Sequence, residues 1–169
     1  MEARHPSESL TILTDLVLPG ETNPLNNLFG GELLARMDRA AGIAAGRHSR
    51  RIVVTASVNH VAFNKAIPLG SVVTIEAKVS RAFKSSMEVV IDVWIEDRQS
   101  GDRTRANEAI YTFVAVNERG APVKVPPITP QTELEQQRYD AALRRKQLSL
   151  VLAGKMKPDD ATELKALFT

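Results

Sequence analysis

Apolar and polar residues alternate loosely over residues 10–17, which predicts a short first strand ended by Pro19 and Gly20. A polar loop with a proline, ETNPLNN (21–27), follows. From Gly31 the period lengthens: Leu33, Leu34, Met37, Ala40, Ala41 and Ala44 recur at helical spacing and make one apolar stripe. This helix should stop near Gly46 or His48, and its alanines should let a sheet approach closely. Period two then takes over. Ile52, Val54, Ala56 and Val58 alternate with Val53, Thr55, Ser57 and Asn59. Val73, Ile75, Ala77 and Val79 alternate with Thr74, Glu76, Lys78 and Ser80. Met87, Val89, Ile91, Val93 and Ile95 alternate against Glu88, Asp92 and Glu96, and the turn Ser100-Gly101-Asp102 leads into a long last strand, 103–116.

The predicted order is therefore strand, helix and four strands. Links of hairpin length require antiparallel neighbours, and a single early helix must bury its stripe on the sheet they form. The expected fold is α+β, an antiparallel sheet wrapped around one central helix, occupying residues 9–120. Beyond it, residues 121–169 read as a proline-rich tether (APVKVPPITP, 121–130) and a charged, helix-prone tail. In that tail, Asp160 with Glu163 three residues later has the form of a capping box before Leu164 and Leu167. No internal repeat is visible.

A length of 169 residues suits one domain, and 43% hydrophobic with 25% charged residues is ordinary for a globular chain. The absence of cysteine excludes disulfides, thiolate metal sites and a cysteine nucleophile. The opening MEARHPSESL lacks the pattern of a signal peptide, and no apolar run approaches a membrane span, so a cytoplasmic protein without membrane contact is expected. The net charge is +2, with Arg138, Arg144, Arg145, Lys146, Lys155 and Lys157 gathered late in the chain. Aromatics are only 5% and do not interleave with these cations, so the basic stretch reads as a solvated helix face and not as a nucleic-acid surface.

Few polar residues invite a chemical reading. Asp38 lies at the border of the helical stripe, four residues after Leu34 and three before Ala41. There it either reaches solvent or stands ready as a general base. Gly30 and Gly31 precede the helix, where backbone N–H groups of the first turn lack partners and could receive an oxyanion. The same residues also make an ordinary turn. No G-x-S-x-G elbow or phosphate-binding loop occurs, and His5, His48 and His60 have no metal-ligand spacing. His60 reads as a packing residue, and His48 as a structural residue placed favourably at the helix end.

The runs TNPLNNLFGGELLARMD (22–38), VVTASVNHVAF (53–63), PLGSVV (68–73), SSMEVVIDV (85–93) and FVAVNERGAPVKVP (113–126) resemble the acyl-CoA hydrolase family of hotdog proteins. The resemblance covers roughly residues 9–130. It implies a sheet wrapped round a helix, dimers that join two sheets edge to edge, and a trimer of such dimers. It implies hydrolysis of fatty-acyl-CoA thioesters without metal or cofactor, coenzyme A being part of the substrate. Asp38 matches the family's catalytic aspartate, as general base or nucleophile, and Asn23 its catalytic asparagine, orienting water or carbonyl. Gly30 and Gly31 would supply the oxyanion contacts. Arg81, Lys84, Ser85 and Ser86 are suggested for CoA contact, although Arg81 and Lys84 equally suit an ordinary charged bend, and Thr55 would lie beside the acyl chain. Family members often carry histidine or glycine around positions 25 and 26, where this chain has Leu25 and Asn26. Two other activities fit the same fold. A hotdog dehydratase would need a histidine early in the helix, yet none lies between His5 and His48. A non-catalytic acyl-CoA sensor would lack the carboxylate and carry a DNA-binding segment.

Overall fold

In the computed structural model, which describes residues 1–169, five strands form one antiparallel sheet. They are β1 (Thr11–Leu16), β2 (Ile52–Asn59), β3 (Val72–Ala82), β4 (Ser86–Glu96) and β5 (Arg103–Val116), in the order β1-β3-β4-β5-β2. Register follows from the period-two pattern. Val79 faces Val89, Ala77 faces Ile91 and Ile75 faces Val93, so the apolar side chains of β3 and β4 share one face. Val89 opposite Tyr111 and Ile91 opposite Ala109 extend that face across β5. The expected sheet wrapped around a helix forms, but β2 pairs with β5 at the far edge and not with β3, because the segment between β2 and β3 is a crossing link and not a hairpin.

The helix is α1 (Gly30–Ser49), one residue earlier and about a turn longer than the stripe implied. Leu33, Met37, Ala40, Ala41, Ala44 and Ala45 are buried against the sheet. Arg50 ends it in the left-handed conformation, φ 56°, with its N–H on the Gly46 carbonyl at 2.8 Å. Burying each large apolar side chain here contributes about 1.5–3 kcal/mol, and the methyl-sized seam lets backbone and sheet close up.

Beyond β5 the structure departs from the sequence expectations. Segment 121–130 is extended, but it is more than a tether: Val123 and Val125 donate to the carbonyls of Ala115 and Lys84, and Val125 and Ile128 join the core. The capping box lies elsewhere than expected. Thr132 and Glu135 make one at the start of α2 (Glu133–Leu152), while Asp160 belongs to a 3-10 turn before the four-residue α3 (Thr162–Lys165), which has no side-chain cap. The basic residues of α2 are not all solvated either. This helix lies on the outer face of β3 and β4, where Arg138 meets Asp92 at 2.9 Å and Arg145 grips buried Glu88 with Nε and Nη2, both at 2.8 Å. Glu88 also accepts from Ser80 Oγ at 2.6 Å. Arg145→Ala would leave that carboxylate with a hydroxyl partner alone. The Arg145 side chain is 33% exposed, so the cost should be about 2–3 kcal/mol, below that of a fully buried pair, read as a lowered denaturation midpoint.

His48 is structural as expected but in a different way, and the reading of His60 changes. His48 is wholly buried with Nε2 at 2.7 Å from the Pro126 carbonyl, and burial lowers its pKa, so it packs neutral and not as a cation on the helix dipole. His60 is exposed just past the end of β2, where the backbone turns out of the strand with φ 51°.

Candidate active site

Residues 21–29 close into an arch ahead of α1. Phe29 N–H donates to the Glu21 carbonyl at 2.8 Å, Thr22 bridges to Leu28, and Asn23 N–H donates to the Asn27 carbonyl at 2.8 Å. At the top, Asn26 takes φ 57°, a left-handed conformation that glycine favours and asparagine tolerates. The Asn23 side chain is fixed by the same arch. Its Oδ1 accepts the N–H groups of Leu25 at 3.0 Å and Asn27 at 3.2 Å. That orientation turns the amide nitrogen, a double donor, away from the loop.

The arch delivers the chain to α1 at Gly30 and Gly31. Their N–H groups have no acceptor in the chain, and no side chain caps this helix end. The space around them is tight and aromatic. A Cβ on Gly31 would come within 2.7 Å of the Phe29 ring, and one on Gly30 within 3.4 Å of Phe63. Both rings are more than half exposed, Phe29 at 57% and Phe63 at 53%.

Asp38, two turns further along α1, is half-buried and accepts the Thr55 hydroxyl at 2.7 Å on Oδ1. The structure thus places Thr55 against the carboxylate itself. Tyr111, on the inward face of β5, was not among the expected site residues. Its hydroxyl donates to the Leu34 carbonyl at 2.9 Å, and burial followed by the nearby Asp38 charge pushes its pKa up to about 12, so it stays a neutral phenol. Its signal in the sequence was a lone hydroxyl-bearing ring between Ala109 and Phe113.

Thr55 belongs to β2, and β2 is the sheet edge. Every residue of this strand is exposed except half-buried Val53, including Ile52 at 56% and Val54 at 48%. The sequence predicts one covered face; here that face is bare in the single chain. Within the chain Asp38 is hydrogen-bonded to Thr55, and the Asn23 side chain bonds only the N–H groups of its own arch.

The bend between β3 and β4 is otherwise engaged. Arg81 lies 3.9 Å over the Tyr139 ring of α2 and donates to the Tyr139 carbonyl at 3.0 Å. Ser86 is buried with Lys146 Nζ at 3.5 Å, Ser85 is half-buried, and Lys84 alone projects into solvent. No group of three or more His, Asp or Glu side chains is placed to hold a metal, and no helix is long and apolar enough to cross a membrane.

The thioesterase superfamily model matches residues 25–101. The uncharacterized acyl-CoA thioester hydrolase YkhA of Bacillus subtilis is 41% identical over 144 residues, 85% of this chain and 84% of that protein. Mouse acyl-coenzyme A thioesterase 11 is 40% identical over 154 residues, 91% of this chain, which spans only 25% of its length. Among solved structures, a hexameric acyl-CoA thioesterase superposes with a TM-score of 0.86 at 38% identity, covering 90% of this chain and 98% of that one. An acyl-CoA hydrolase of Staphylococcus aureus, in complex with butyryl-CoA and CoA, gives 0.83 at 35% identity, covering 97% and 99%. Other structures of the Staphylococcus protein replace an asparagine, an aspartate and a threonine singly by alanine. In that chain the asparagine stands 15 positions before the aspartate and the threonine 17 after it, the spacing of Asn23, Asp38 and Thr55 here.

Proposed function

The chain belongs to the thioesterase superfamily and, within it, to the acyl-CoA thioester hydrolases, and we propose that it cleaves fatty-acyl-CoA to the free acid and coenzyme A with Asp38 and Asn23. One observation carries the residue assignment: the shared Asn–Asp–Thr spacing falls on three residues of which two already meet, Thr55 donating to Asp38.

Thr55 occupies one carboxylate oxygen and leaves the other for a water molecule. Asp38 takes the proton as that water adds to the thioester carbon; direct attack by the carboxylate is the variant route. Negative charge collects on the former carbonyl oxygen, where the free N–H groups of Gly30 and Gly31 receive it. The Asn23 amide, its oxygen already spent, donates to the carbonyl or the water. Collapse breaks the C–S bond, and Asp38 passes its proton to the departing thiolate, which restores the carboxylate and releases coenzyme A as the thiol. The step calls for no metal or redox cofactor.

The bare β2 edge supports a homo-oligomer. The backbone groups of β2 that face away from β5, together with the exposed side chains of Ile52, Val54 and Val58, would pair with a second β2, and a hexamer would follow as three such dimers. Lys84 at the strand bend is the free cation for the CoA phosphates, whereas Arg81 serves α2. A cytoplasmic location belongs to the same reading.

Thiol release measured across acyl-CoA chain lengths tests the proposal. Release of free CoA with the matching acid is expected for at least one length. A correctly assembled protein that releases none from any chain length would end the reading.

A further inference from the structure

We infer, building on the thioesterase reading, that Arg36 is a positioning residue that locks the Asn23 arch to α1 of its own chain, and so fixes the pose in which the arch is presented. Arg36 sits on the buried side of α1, two residues before Asp38, and is 5% exposed. Its Nη2 donates to the Leu16 carbonyl at 2.9 Å and to Glu21 Oε2 at 2.8 Å, while Nε lies 3.6 Å from Glu32 Oε1. Glu21 is the base of the arch. Its second carboxylate oxygen accepts Leu18 N–H at 2.9 Å, and its carbonyl receives Phe29 N–H, the last residue before α1. One guanidinium therefore ties the end of β1, the foot of the arch and the helix into a single unit. The Arg36 hydrogen bond is also the chief reason the Glu21 carboxyl is held below its usual range.

Stability alone is a poor reason for this residue. Nη1 is buried without an acceptor, and an apolar side chain of the same length would fill the site without desolvating a charge. What an apolar side chain could not do is hold the arch at a fixed height above the helix. That height decides where the Asn23 amide points, since Asn23 has no other anchor beyond the arch's own N–H groups. An error of about 1 Å at such a group is enough to cost on the order of 10²-fold in rate.

Arg36→Met, Asn23→Ala and the double variant, read by thiol release and by amide hydrogen exchange, separate positioning from mere support. In Arg36→Met the amides of Leu25 and Asn27 should exchange at least about 10-fold faster while those of β4 keep their protection. The kcat should fall roughly 10–100-fold, with KM little changed. In the Asn23→Ala background the same substitution should cost no more than about twofold, because the group it positions is gone. Losses that multiply in the double variant, or unchanged exchange at residues 25 and 27, would overturn the inference. Should Arg36→Met fail to fold, Glu21→Gln keeps the side-chain shape and is read by the same criteria. A folded wild type that releases no thiol would sink the thioesterase reading instead, and the exchange data alone would then decide the lock.

Discussion

Asp38→Ala is expected to lower kcat by about 10²–10⁴-fold, the range for loss of a positioned general base, without unfolding the protein. The side chain is half-buried and its hydrogen-bond partner is the exposed Thr55 hydroxyl, which water can satisfy after truncation. No buried charge is orphaned, and the alanine continues a helix already rich in alanine. Asp38→Asn sharpens the result, since it still accepts from Thr55 yet takes no proton from water. Single-turnover thiol release, on variants whose melting temperature and oligomeric state match wild type, is the measurement. Near-normal turnover in such a protein would remove Asp38 from the mechanism.

Mixing two inactive variants should restore activity. Asn23 and Asp38 share no hydrogen bond within one chain and the outward side of β2 is open, and the expectation under test is that a second chain brings its arch to the site. Two-fold symmetry then makes each asparagine–aspartate pairing occur twice. Asn23→Ala and Asp38→Ala chains, unfolded and refolded together, would form mixed dimers in which one site carries both lesions and the other none. Random pairing makes half the dimers mixed, so roughly a quarter of wild-type activity should return. If mixed dimers are present by mass spectrometry and activity stays at the level of the separate variants, both residues come from one chain.

Much of this architecture is legible in the sequence because one physical rule writes it. Strands β3, β4 and β5 each bury one face on α1, so period two marks them, and β5 runs over 103–116 as its pattern predicts. The same rule misleads at β2, where alternation records an apolar face without saying which chain covers it. Pairings between distant residues leave no local trace. Glu88 reads as the polar side of a strand and Arg145 as one cation among several, yet they meet across 57 positions and draw α2 onto the sheet. Asp38 was undecided on spacing alone, since the border of a stripe suits a solvated carboxylate as well as a base. Arg36 falls three residues after Leu33, inside the apolar stripe, and that misplaced cation was the one cue to the lock beneath the arch.

The alanine seam of α1 also limits how this protein can change. Ala40, Ala41, Ala44 and Ala45 are completely enclosed, and any larger residue there would lift the helix and carry Asp38 with it. Natural or laboratory selection for a different acyl length is therefore shut out of the helix–sheet contact. It is left with the exposed rings of Phe29 and Phe63 and the edge-strand side chains other than Thr55, where a change of size does not lift α1. Substrate range can then drift while the helix that carries Asp38 stays in place, because the two properties rest on different elements of the chain.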